Sequence, residues 1–168
     1  MSIFNTQLSQ LLDEQRNSLA TGIMTKHYTV HPEFEERYGK KGRQKCMEDA
    51  NYHLTYLSEA IAASHPSLFA NYVAWAKVLL TGIGIPLEDL AKNLEMMREV
   101  LTEQLPKEME PLINEYINEG LTQLPSLPST SPTYIKKTEP YPDLTQQYLD
   151  TLILDAVNKD KISVKDIY

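Results

Sequence analysis

Strand-like alternation is nearly absent from this 168-residue sequence, glycine occurs six times, and there is one cysteine. A single cysteine excludes an internal disulfide and a multi-thiolate metal site, leaving packing or thiol reactivity as its use. No apolar run approaches the ~18 to 20 residues needed to cross a bilayer. The start, MSIFNTQLSQ, lacks the basic residues and apolar stretch of a signal peptide, so a cytoplasmic protein without membrane insertion is expected. A net charge of −7 and a pI near 5.1 would repel a phosphate backbone, and basic residues cluster only from Lys40 to Lys45. Nucleic-acid binding is not expected. There is no phosphate loop, no nucleophile-elbow motif and no metal-binding histidine pair, and the sequence predicts no catalytic activity.

What is present is helical periodicity. With 42% hydrophobic and 23% charged residues the chain is within the range of a globular domain with its own core. Apolar residues recur at three and four through most of the first 121 positions, which predicts an all-α fold. Phe4, Leu8, Leu11, Leu12, Leu19 and Ile23 predict a first helix ending near Gly22, then a polar connection. His31-Pro32 to Tyr38 reads as a short helix, set apart by Gly39 and Gly42 from a long one over Gly42 to Ala63, which stops before His65-Pro66. A third long helix, SLFANYVAWAKVLL, follows Pro66 and is apolar enough to predict deep burial. Pro86 opens a fourth, LEDLAKNLEMMREVLTEQL, and Pro106 a further helix to Gly120. Residues 122–142 hold five of the ten prolines and read as a linker or surface tail; 143–168 read as a C-terminal helical extension.

On the 42–63 helix, Cys46, Asp49, His53, Tyr56 and Ala60 form one stripe. A carboxylate on a half-apolar face must receive hydrogen bonds, so Asp49 needs a partner. The set suits a linear tetrapyrrole. A thiolate adds to the ring-A vinyl or ethylidene group, a carboxylate accepts hydrogen bonds from pyrrole N–H groups, and Arg43 or Lys45 pairs with propionates. A free cysteine is equally a small hydrophobe, and Asp49 could pair with Arg43, Lys45 or His53 on its own helix. The residues by themselves leave both readings open. The aromatic residues Tyr52, Tyr56, Phe69, Tyr72 and Trp75 are candidates for core or for ligand cage.

The stretch GRQKCMEDANYHLTYLSEAIAA resembles the chromophore-bearing helix of phycobiliproteins, especially their α-type subunits, through Gly42, Lys45, Cys46, Asp49, Tyr52, Leu54 and the small residues near Ala60. The resemblance implies a globin-like fold over residues 1–121 and a bilin ligand, of phycocyanobilin or biliverdin type, held covalently through Cys46 or non-covalently. Cys46 then matches the thioether cysteine and Asp49 the carboxylate that meets the pyrrole nitrogens, with Arg43, Lys45, His53, Tyr56, Tyr72 and Trp75 around them. Where that family usually reads C-x-R-D, this chain reads Cys46-Met47-Glu48-Asp49, so propionate pairing falls to Arg43 or Lys45. About 45 residues precede the cysteine, too few for the N-terminal helical pair of light-harvesting subunits. The non-antenna bilin biosynthesis-associated globins are the better comparison. They imply a carrier, a sensor or an accessory of a bilin pathway.

A second resemblance runs from HPEFEERYGKKGRQKC through YVAWAKVLL and GIPLEDLAKNLEMM, which is similar to the N-terminal helical module of bacterial cobalamin-binding sensory proteins. Cobalamin itself is disfavoured, because no D-x-H-x-x-G loop supplies a cobalt ligand. Haem is disfavoured too: of His27, His31, His53 and His65, none lies well inside the third long helix, where a proximal ligand would be expected. Glu33, Glu35, Glu36, Glu108 and Glu110 read as a solvated face. The alternative to bilin binding is a ligand-free helical dimerisation or signalling module, with a homodimer through the first or the C-terminal helix.

Overall fold

A computed structural model describes residues 3–125, so the expectations for 126–168, most of the linker and the whole C-terminal extension, lie outside the described residues. Among the described residues there are six α-helices, a 3-10 turn and no strand: α1 (Ile3–Glu14), α2 (Arg16–Val30), α3 (Glu33–Ala62), α4 (Pro66–Gly82), α5 (Leu87–Gln104) and α6 (Glu110–Gln123), the 3-10 turn being Lys107–Met109. None of these helices is long and apolar enough to cross a membrane.

Several boundaries follow the punctuation of the sequence. The chain leaves α3 at Ala63, passes His65 in extended geometry and enters α4 at Pro66, whose missing N–H is no loss at a first helical turn. Pro86 stands one place earlier, as the extended residue just before α5, and Glu88 and Asp89 sit in the first turn of that helix against its dipole.

Two of the glycines that read as boundaries, Gly22 and Gly42, lie inside helices. Gly22 does not end a helix: the chain bends at Gln15, where backbone hydrogen bonds run through from Leu11 to Leu19, and α2 then continues past Gly22 to Val30. The expected polar connection is therefore helical. At Gly22, α2 comes so close to α5 that a Cβ would lie 3.3 Å from Val100 Cγ1. Gly42 likewise separates nothing, because it lies inside α3 where an added Cβ would meet the Tyr38 side chain and the Tyr28 hydroxyl at 2.8 Å. Gly39 does mark a break: with φ 59° and ψ −160° it kinks α3, a geometry that side chains other than hydrogen do not tolerate.

The segment ahead of the kink is fastened to α5. Asp89, 5% exposed, accepts from Arg37 at 2.8 Å and from the Tyr38 hydroxyl at 2.6 Å, and Lys92 reaches Glu33 at 3.1 Å.

Helix pairing is not confined to chain neighbours. α1 packs on α3, α2 on both α3 and α5, α4 on α6, and α5 on α6. This interleaving is that of a globin-like fold and not of an up-and-down bundle. The core runs through all six helices, from Leu8 and Leu12 through Ile23, Leu57, Phe69 and Met97 to Tyr116 and Ile117. α4 is less deeply buried than its composition predicts. Phe69, Val73 and Ala76 enter the core, but Leu68 is 48% and Trp75 56% exposed. α6 extends two residues past the expected boundary at 121, and Leu124 is buried beyond it.

Candidate functional site

The stripe expected on α3 exists, and α4 faces its middle. His53 is buried, and its Nδ1 lies 2.7 Å from the Tyr72 hydroxyl of α4. Burial pushes the imidazole down to about 4 and lifts the Tyr72 phenol well above its ordinary range, so a neutral pair shares one hydrogen bond. Tyr56 stacks on Tyr72 with ring centroids 4.1 Å apart and planes 14° from parallel, and Trp75 follows at 6.0 Å. Tyr56 and Trp75 are exposed, as is Tyr52. Aromatic faces thus run from the buried His53 to the surface.

Cys46 and Asp49 stand two turns and one turn ahead of His53, both half-buried. Burial pushes the Cys46 thiol up to about 12, the Asp49 charge adds to the effect, and an N–H donated by Asn93 at 3.3 Å opposes it. Burial also raises the Asp49 carboxyl to about 6, with Lys45 working against that rise and Glu48 with it. Among the described residues no hydrogen bond or ion pair is made to the Asp49 carboxylate. The partners expected for it are engaged elsewhere. Arg43 pairs with Glu35 and lies 4.5 Å over the Tyr28 ring, Lys45 is 2.7 Å from Glu48, and His53 is held by Tyr72. A half-buried carboxylate without donors is suited to receive N–H groups from a ligand.

Two residues beside Cys46 escaped the sequence reading. Asn93 of α5 touches its sulfur, and the same amide nitrogen lies 3.4 Å from Nδ1 of His27 on α2. His27 is buried, packed edge-on against Phe34 at 4.2 Å, and burial pushes it down to about 4. Its Nε2 and the Asn93 Oδ1 are buried without a hydrogen-bond partner. Helical spacing relates residues on one helix, and these come from three. A signal did exist: Asn93 is a polar residue at helical spacing from the buried Leu90, Met96 and Met97.

A family model described as "Phycobilisome protein" matches residues 5–124, which is nearly the whole of the described helical unit. No curated protein matches the chain. With the interleaved helix pairing and with Cys46 and Asp49 on its central helix, the chain belongs to the phycobilisome protein family, whose fold is globin-like and whose ligand is a bilin.

Proposed function

We propose that this protein holds a bilin between α3 and α4 and works outside the light-harvesting antenna, as a carrier or accessory of a bilin pathway with no catalysis of its own. The observation that carries this reading is the half-buried Asp49 carboxylate, raised to about 6 and without a hydrogen-bond donor among the described residues. The residues present fit such a ligand. Asp49 receives the pyrrole N–H groups, Tyr56, Tyr72 and Trp75 offer ring faces, and Cys46 stands beside the terminal ring. Arg43 and Lys45 reach a propionate only by releasing Glu35 and Glu48, which favours a weakly held, exchangeable ligand over a permanent one.

The bound bilin supplies visible absorption and a ring-A double bond. If Cys46 attaches to it, the thiol adds across that bond: a C–S bond forms, the thiol proton passes to the conjugated system, and nothing is oxidised. A thiol raised to about 12 reacts slowly unaided, so we propose non-covalent holding in the absence of an attachment factor.

The test is co-expression with a phycocyanobilin- or biliverdin-producing pathway. A coloured protein is expected, with Asp49→Ala shifting or weakening the band. Zinc-induced fluorescence under denaturing conditions that disappears in Cys46→Ala would identify a thioether; colour retained in Cys46→Ala identifies non-covalent holding. A protein that stays colourless with every bilin tried sinks the reading. One observation favours the alternative, a dimerisation module: Leu68 and Trp75 leave apolar surface exposed on α4. In that case the mass by light scattering doubles with concentration and Leu68→Glu prevents it.

A further inference from the structure

We infer that His27 and Asn93 form a hydrogen-bonding clamp for the lactam of the tetrapyrrole's terminal ring beside Cys46. This rests on the bilin reading above and extends it to two helices, α2 and α5, that the Cys46 and Asp49 pattern does not reach.

The argument starts from unsatisfied atoms. His27 is 1% and Asn93 8% exposed, yet His27 Nε2 and Asn93 Oδ1 have no hydrogen-bond partner. Leaving two buried polar atoms unpaired destabilises the fold, and apolar residues at both places would avoid that cost. Their placement is not random. The Asn93 amide is the group that touches Cys46 Sγ, at 3.3 Å, and it touches His27 Nδ1 at 3.4 Å, so both unpaired atoms belong to groups gathered at the cysteine.

The identity of the unpaired atoms specifies the ligand group. With His27 neutral, Nδ1 accepts from the Asn93 amide, which leaves Nε2–H as a free donor and Oδ1 as a free acceptor. Turning the amide over exchanges the parts: Oδ1 then accepts from Nδ1–H, and what remains is the acceptor Nε2 and the donor NH2. Either way one donor and one acceptor are left. A lactam carries the complement, one N–H and one C=O, and both terminal rings of a linear tetrapyrrole are lactams. A closed porphyrin ring has none. The ring whose side chain lies against Cys46 brings its lactam to the neighbouring His27 and Asn93.

The experiment uses the full chain with biliverdin and with biliverdin O-methylated at its terminal lactams, which keeps the conjugated skeleton and the propionates but loses the lactam N–H. Dissociation constants come from absorption titration, and the His27 imidazole is followed by long-range proton–nitrogen NMR on histidine-labelled protein. Wild type is expected to prefer biliverdin by about 10- to 100-fold, the loss anticipated when a built donor–acceptor pair goes unmatched. Asn93→Leu and His27→Phe should each reduce that preference to near unity. The double variant His27→Phe/Asn93→Leu should also leave the ligand-free protein at least as stable in urea, since it removes both members of the pair together with their unpaired atoms. Biliverdin should move the His27 Nε2 resonance. Equal affinity for the two ligands, a preference that survives both substitutions, or a His27 signal unmoved by biliverdin, as when a buried water already satisfies the atoms, overturns the clamp and leaves the bilin reading standing. Failure of wild type to bind either ligand overturns the bilin reading, and the clamp with it.

Discussion

Asp49 and Cys46 stand three positions apart on α3, and their titration is linked because the carboxylate raises the thiol. The Asp49 carboxyl is raised from 3.8 to about 6 by burial, so its charged form is less stable in the folded chain than in the unfolded one. The associated stability is fully present below the unfolded value and is lost as pH rises through about 6. That loss is roughly 2–3 kcal/mol. Asp49→Asn should therefore be more stable than wild type by that amount at pH 8 in urea unfolding, with the advantage vanishing near pH 4. An advantage independent of pH would mean the carboxylate is not the source. The same substitution should speed reaction of Cys46 with a disulfide reagent. In the wild type, a thiol moved from 9.0 to about 12 has about a thousandfold less thiolate at pH 8 than an unperturbed cysteine. A carboxylate kept at such a cost is easier to understand as a ligand contact than as a structural residue.

The kink in α3 puts a second test at the scale of the helix. Gly39, with φ 59° and ψ −160°, is in a region closed to alanine, so Gly39→Ala should destabilise the chain by about 1–3 kcal/mol in urea unfolding. Gly82 has ordinary φ and nothing within 4 Å of an added Cβ, so Gly82→Ala should be neutral or stabilising by about 0.5–1 kcal/mol. Similar costs for both would remove the special status given to Gly39. The contrast shows where the sequence is legible. Pro66 and Pro86 announce helix starts because a proline acts through its own ring, whichever fold surrounds it. A glycine is ambiguous. The same residue type kinks α3 at Gly39, admits Tyr28 and Tyr38 at Gly42 and lets α5 approach at Gly22, and only the neighbours decide which. The α3 stripe was readable because one helix carries it. Asn93 and His27 were not, because they are 66 residues apart in sequence and meet only through packing.

At the scale of the whole molecule, the proposed site depends on a core remote from it. α4 supplies Tyr72 to His53 and Trp75 to the surface, and α4 in turn rests on α6 at Gly120. An added Cβ there would lie 3.0 Å from Val73 Cγ2 and 3.5 Å from the Phe69 ring, two side chains with no flexible end to withdraw. Gly120→Val must push α4 away from α6 or force both neighbours off their rotamers, at a cost of about 1–3 kcal/mol. For a domain of this size that lowers the melting temperature by several degrees, on the order of 3–10 °C. Displacement of α4 also predicts an optical change. Trp75 is the chain's single tryptophan and sits two positions after Val73 with its ring 6.0 Å from Tyr72. Its emission in the folded variant should differ in wavelength or intensity from wild type at the same temperature, well below either melting transition. A lowered melting temperature with unchanged Trp75 emission would mean that α6 yields instead, and that Tyr72 and His53 are insulated from the α4–α6 contact. A change in both means that the geometry around Asp49 is held by the packing of the whole helical unit, not by α3 alone.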